Sequence, residues 1–317
     1  MRKLGLFLGL SLVIGGAAVA QTAGTPPYWA YPVPKAAPPA AKPDDTVQKR
    51  LPGSKARFTD AGVGDRFLVP DWYPKEHPPM PEVVAHGRKP KVFACGYCHL
   101  PNGQGRPENA SLAGQPAGYI LEQVQEMRAG RRKTAVLMGS IKAMYGIAGA
   151  VTDDEVKIAA DYFSKLKYKK WIRVVETDTV PRTDISSHNM MIKAAGGGRE
   201  PIGARILEVP ENLERTELRD PKSGFVAYVP KGSIARGKKL VASGAGAFPC
   251  ASCHGATLHG DGNVPGLAGR SPSMIVRQLY DFRHGTRTGP AADPMKTETQ
   301  NMTDAQALDI AAYLASL

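Results

Sequence analysis

Cys95-Gly96-Tyr97-Cys98-His99 and Cys250-Ala251-Ser252-Cys253-His254 use all four cysteines of this 317-residue chain. Each is the five-residue pattern that anchors a haem covalently. Two thiols three positions apart on one helical turn can each form a thioether to a haem vinyl group, and the adjacent histidine is then held beneath the iron as proximal axial ligand. Other readings of the pairs explain less. Short-loop disulfides or a thioredoxin-type dithiol leave the histidine after each second cysteine without a role. A structural zinc site takes four Cys/His ligands from paired knuckles, whereas these pairs lie 155 residues apart with no matching His-x-x-x-His. The expected cofactors are two covalently bound haem c groups, attached through Cys95, Cys98, Cys250 and Cys253, with His99 and His254 on the irons.

Working outward, the two motifs open an internal repeat. Both lead at the same interval into Leu-Ala-Gly, at 112–114 and 267–269, and the offset of 155 continues beyond. Ile120, Val124 and Met127 match Ile275, Leu279 and Phe282 at i, i+4, i+7 spacing, one apolar face of a helix. Gln123 and Gln278, Arg128 and Arg283, Gly130 and Gly285, and Arg132 and Arg287 coincide as well. Four residues are then missing from the second copy, and the match resumes at an offset of 151. Thr152-Asp153-Asp154-Glu155 and Thr303-Asp304-Ala305-Gln306 both have the form of a capping box, so each opens a final helix.

The CxxCH pattern, Leu-Ala-Gly, an amphipathic helix ending near Arg-x-Gly, a methionine and a terminal helix closing on Ala-Ala-Tyr-Leu or its equivalent together resemble class I cytochrome c. The tandem resembles the di-haem cytochromes of the c-four type. This resemblance implies a mainly α fold: two tandem class I cytochrome c domains, 81–168 and 233–317, joined by a connector, 169–232, with short β-strands. It also implies a methionine on the far side of each iron. Met144 lies seven residues before Val151 and Met295 seven before Met302, and Thr-Asp follows in both copies. A thioether is soft and neutral, favours ferrous iron and suits an electron carrier. Met138 competes with Met144 in the longer first-copy loop, and any of these methionines could instead fill a core. His86, His188, His259 and His284 recur at no equivalent position and read as surface residues. In the family a loop carbonyl orients each proximal imidazole, which points to Ala110 and Pro265.

The N-terminus is an independent signal. Arg2 and Lys3 precede an apolar run from Leu4 to Val19, and Ala18-Val19-Ala20 has the small-x-small form of a cleavage site before Gln21. Residues 1–20 are therefore expected to be a signal peptide and the compartment the periplasm, with an uncleaved membrane anchor as the alternative. Residues 21–80 form an extension whose first part, 21–52, is rich in proline and reads as an extended or disordered spacer. Asp71-Trp72-Tyr73-Pro74 and His77-Pro78-Pro79-Met80-Pro81 read as a strap over the first domain. All three tryptophans, Trp29, Trp72 and Trp171, fall outside the repeats, and at least the latter two are expected to pack. In the connector, alternation over 206–209 and 225–229 predicts strands, separated by Pro210 and an Asp220–Gly224 turn. Gly196-Gly197-Gly198 lacks the strand-to-helix context of a phosphate cradle and reads as a loop.

The net charge of +12 favours redox partners with acidic docking surfaces. Nucleic acid is not an expected partner, since no recognition motif of that class is present. Positive runs occur at Lys165, Lys167, Lys169, Lys170 and Arg173, and at Arg128, Arg131, Arg132 and Lys133. They read as a solvated face, or else as a steering surface with Arg132 and Arg287 near haem propionates. The expected function is transfer of single electrons between redox partners such as a membrane respiratory complex or a periplasmic dehydrogenase, without catalysis. The alternatives are a cytochrome subunit of a larger dehydrogenase and, further off, a di-haem peroxidase, which needs an open iron that paired methionines oppose.

Overall fold

The computed structural model describes residues 24–34 and 45–317; the expected signal peptide and part of the proline-rich extension lie outside these residues. The chain is mainly helical with small sheets. The extension holds α1 (Asp60–Gly64). The first repeat follows with α2 (Glu82–Ala85), α3 (Cys95–His99), α4 (Ala117–Arg128), α5 (Gly139–Ala150) and α6 (Asp153–Lys165). The second repeat holds α8 (Ser233–Ser243), α9 (Ala251–His254), α10 (Pro272–Arg283), α11 (Asp293–Thr299) and α12 (Asp304–Ser316), with α7 (Leu213–Glu217) in the connector before it.

Both expected capping boxes form. Thr152 and Thr303 accept from the N–H of Glu155 and Gln306, whose side chains return to the cap N–H, so orphan donors at the start of α6 and α12 are satisfied reciprocally. The next element of the repeat is not symmetric. In the second copy α8 crosses α12 so closely that a Cβ on Gly237 would lie 1.9 Å from the carbonyl oxygen of Asp309. In the first copy the equivalent helix, α2, is a single turn. Residues 45–80 precede it, and their Leu51, Val63, Trp72 and Tyr73 pack with the connector's Leu218. The Trp72 indole donates to the Leu218 carbonyl at 2.7 Å, which ties strap to connector over the first repeat.

The spacer reading of 21–52 is corrected in part. Residues 24–34 are docked: Trp29, Ala30 and Tyr31 join the core of the second repeat, Arg277 donates to the Ala30 carbonyl at 2.6 Å, and the Tyr31 hydroxyl donates to Asp281 at 3.3 Å. Proline spacing does signal extended chain, but two aromatic rings beside it provide enough apolar surface to hold that chain against α10.

The connector is richer in strands than alternation indicated. β1 (Ile172–Glu176), β7 (Phe225–Val229) and β6 (Leu207–Pro210) form one sheet, with β1 parallel and β6 antiparallel to β7. Pro210 ends β6 rather than standing outside it. Two small antiparallel pairs complete the set: β2 (Thr179–Pro181) with β5 (Arg199–Pro201), and β3 (Thr183–Ile185) with β4 (Met191–Lys193). Three-residue strands are too short to display a period of two. Gly196–Gly198 lies in the turn between β4 and β5. Trp29 and Trp72 are buried, and Trp171 packs edge-on against Phe225.

Candidate functional site

Each CxxCH turn is followed by a tight loop that fixes its histidine. The His99 Nδ1–H donates to the Ala110 carbonyl and that of His254 to the Pro265 carbonyl, both at 2.8 Å, the two carbonyls expected from the sequence. The loops close because Gly105 and Gly260, equivalent positions at φ 65° and 100°, donate their N–H to the carbonyls of His99 and His254 at 2.9 Å. A Cβ at Gly105 would stand 2.5 Å from the Asn109 oxygen, so a side chain would reopen the loop. With Nδ1 committed, Nε2 keeps its lone pair for a metal. Burial pushes both imidazoles below the ordinary histidine range, against the opposing pull of the carbonyl bond, so both are neutral at neutral pH.

No disulfide joins the four cysteines. Burial pushes the Cys95 thiol up to about 12, and it raises Cys98 and Cys250 as well. A redox-active dithiol needs a stabilised thiolate, so this environment argues against that chemistry. Among the described residues no cluster of His, Cys, Asp and Glu could hold a bare metal ion.

Cys95, Cys98, His99 and Met144 from the first repeat and Cys250, Cys253, His254 and Met295 from the second all line one cavity of about 980 Å³. His86, His188, His259 and His284 do not; His284 is stacked on Tyr280 at 3.8 Å. Met138 also reaches the cavity but is buried in the apolar cluster of the second repeat with Ile206 and Leu279. Met144 packs with the first-repeat core around Val124 and Phe163. The donor set suits haem: two neutral imidazoles, paired thiols on single turns, and a thioether from each repeat on a largely apolar wall. The cavity wall also holds polar atoms without a partner, the Tyr145 and Ser140 hydroxyls and Arg270 Nε, which fits a ligand with an apolar body and charged substituents.

The repeats meet through equivalent positions. Gln115 exchanges hydrogen bonds with Gly266, donating at 3.0 Å and accepting at 2.9 Å, while Arg270, the counterpart of Gln115, donates to Ser111, the counterpart of Gly266, at 2.8 Å. Lys133 N donates to Thr286 O at 2.9 Å and Thr288 N to Arg131 O at 2.7 Å, so Arg132 and Arg287 pair with each other across a local pseudo-two-fold axis. Arg287 donates to Gln123 at 2.7 Å and Arg132 to Gln278 at 3.4 Å, again equivalent bonds. These arginines are therefore not part of a solvated face. Burial and the neighbouring Arg287 bring Arg132 down to about 10. Arg128 and Arg283 likewise make matching contacts, with Asp153 and Asp304, and close the far end of each repeat.

Gln115, Arg270, Arg106 and Glu108 escape notice in the sequence. The first two occupy equivalent positions but differ in type. Arg106 and Glu108 form an ion pair at 3.7 Å in the first repeat, with burial raising the Glu108 carboxyl, and their counterparts Asp261 and Asn263 make none.

The cytochrome c family model matches residues 234–317. Cytochrome c4 of Pseudomonas aeruginosa is 37% identical over 202 residues, covering 62% of this chain and 70% of that one. The thiosulfate dehydrogenase electron acceptor of Thiomonas intermedia is 27% identical over 234 residues, covering 72% of this chain and 80% of its own length. The solved Acidithiobacillus ferrooxidans cytochrome c4 is 23% identical, covers 70% of this chain and 98% of its own, and superposes with a TM-score of 0.46. Taken with the duplicated CxxCH motif and the cavity that both copies line, the match to the Pseudomonas aeruginosa protein places the chain in the cytochrome c4-like family of di-haem electron carriers.

Proposed function

We propose that this chain carries two covalent haems in tandem class I domains, 81–168 and 233–317, and passes single electrons between a dehydrogenase-type donor and a respiratory acceptor outside the cytoplasm. The observation that supports this most strongly is the shared cavity, with both imidazoles already turned by a carbonyl and a methionine on the wall of each half. Bound haem supplies a reversible ferric–ferrous couple. Cys95, Cys98, Cys250 and Cys253 would tether it, and His99 with Met144 and His254 with Met295 would ligate the two irons. Packing of Met144 within its own repeat favours it over Met138 as the first-domain ligand. Arg132, Arg287 and Tyr145 line the cavity, where they would meet charged substituents of the group.

The name of the Thiomonas relative supports a thiosulfate-oxidising dehydrogenase as the class of donor. The leader and connector have an alternative reading as docking elements of a larger complex; the leader's Trp29 and Tyr31 instead pack on the second repeat and the strap's Phe67 on Phe93 of the first, which supports a free carrier. Among the described residues no helix is long and apolar enough to cross a membrane.

An optical spectrum of the purified holoprotein tests the proposal. Two haems per chain, a thioether-to-ferric charge-transfer band and no response of the reduced form to carbon monoxide are expected. A high-spin or carbon monoxide-sensitive haem would reject the closed-carrier reading in favour of an open iron.

Lys167, Lys169 and Lys170 are exposed along a cleft of about 930 Å³ between strap and connector. Reversing all three charges is expected to slow exchange with an acidic partner about tenfold at low ionic strength and little at high salt. Stopped-flow rates against salt measure this, and a parallel salt dependence in variant and parent would remove the steering role.

A further inference from the structure

The internal repeat allows the two CxxCH turns to be compared position by position, and their surroundings differ. Tyr97 and Ala94 are buried, whereas their counterparts Ser252 and Pro249 are exposed, as is Cys253 against a half-buried Cys98. The strap and connector make the difference. Arg219 of the connector stacks its guanidinium 3.4 Å from the Tyr97 ring centre and donates to the Tyr97 carbonyl at 2.8 Å. Val69 of the strap packs with Ala94 and Tyr97.

The most informative pair is Phe93 and Phe248, each two residues before its first cysteine. Phe93 is covered by the strap: Phe67 meets it edge-on at 5.3 Å and the Arg66 guanidinium lies 5.1 Å from its centre. Phe248, which like Phe93 also borders the cavity, has no such cover from strap or connector and is 63% exposed beside a haem-binding turn. The carboxylate of Glu298 accepts from the N–H of Ala247 and Phe248 at 2.9 and 3.3 Å, which places an acid beside the bare ring. Its counterpart at the offset of 151 is the apolar Ile147.

We infer that the turn around Phe248 is the face on which a redox protein docks, and that the partner offers an aromatic side chain flanked by an arginine, the pair Phe67 and Arg66 present to Phe93. The strap and connector close the equivalent face of the first repeat, so electrons pass through the second repeat in both directions. The inference rests on the di-haem carrier reading. The first repeat shows which chemistry satisfies this position, and Glu298 adds the charge to receive the arginine.

The test uses the holoprotein with hydroxyl-radical labelling and a gold electrode coated with a phenyl-terminated monolayer as probe. In the free protein Phe248 should label several times faster than Phe93. Phe248→Glu, compared at equal haem content per chain because the residue also lines the cavity, should slow electron exchange with the electrode at least about tenfold, as expected for losing a central aromatic contact. Leu68→Glu, on the outer side of the strap, should leave the rate unchanged. Two reversible waves in the parent with no slowing in Phe248→Glu, equal slowing in Leu68→Glu, equal labelling of the two rings, or a dimer in sedimentation that hides Phe248 would each overturn the docking face while the carrier reading stands. Absence of reversible waves in the parent would overturn the carrier reading and the docking face with it.

Discussion

Met295→Ala is expected to leave two haems attached, remove about half of the charge-transfer band, and allow the reduced protein to bind carbon monoxide at one iron. Met295 lies on α11, partly buried against the second-repeat core and on the cavity wall. On the proposed ligation, truncation would remove the soft ligand without touching the thioethers or the proximal histidine. Loss of a ligand that favours ferrous iron should lower that haem's potential by on the order of 0.1 V or more, within the roughly 0.8 V over which axial ligation acts. Met144→Ala should do the same to the other haem. Met138→Ala separates ligand from packing: buried among Ile206 and Leu279, it should cost about 2–5 kcal/mol of stability and open no iron. Spectra and redox titration of the three variants check this, and carbon monoxide binding in Met138→Ala but not Met144→Ala would reverse the first-repeat assignment.

Gly237→Ala should have the largest effect on stability of any single methyl added to the second repeat. The new Cβ would meet the Asp309 oxygen at 1.9 Å and the Tyr313 Cβ at 2.8 Å, so α8 must move away from α12 along its length. Overpacking of this kind costs about 1–3 kcal/mol, and here the neighbour is backbone that cannot rotate aside, so the upper end or beyond is expected. Thermal unfolding followed by far-ultraviolet circular dichroism should show a fall of several degrees. Glu82, the counterpart of Gly237, is exposed at the start of one-turn α2, and Glu82→Ala should stay within about 0.5 kcal/mol. Equal destabilisation by the two changes would mean that the repeats share a helix crossing after all.

What the sequence revealed and what it concealed follow from the range of the interactions involved. CxxCH, Leu-Ala-Gly and the capping boxes are local patterns whose chemistry is complete within a few residues, and their equal spacing in two copies fixed the helices around them. The roles of Ala110 and Pro265 came through family resemblance, since a carbonyl has no residue signature. Tertiary contacts were harder to read. Trp29 and Tyr31 look like part of a proline-rich spacer until α10 is present to receive them. Gln115 and Arg270 perform equivalent tasks with unlike side chains, so identity matching passes over them. Spacing alone left Met138 beside Met144, and only the cluster each joins tells them apart. The strands of the connector pair with partners up to 53 residues away, and the shortest of them carry no periodic pattern.

The pairing of Arg132 with Arg287, and of Gln115–Gly266 with Arg270–Ser111, also bears on ancestry. A surface that meets its own duplicate position for position is self-complementary, which is the requirement for a symmetric homodimer. A single-copy forebear bearing this surface would have assembled head to head at sufficient concentration. Joining two copies in one chain replaced that concentration-dependent encounter with an intramolecular one at far higher effective concentration. Once the union no longer depended on abundance, the halves were free to diverge, one acquiring a cover and the other keeping its open face.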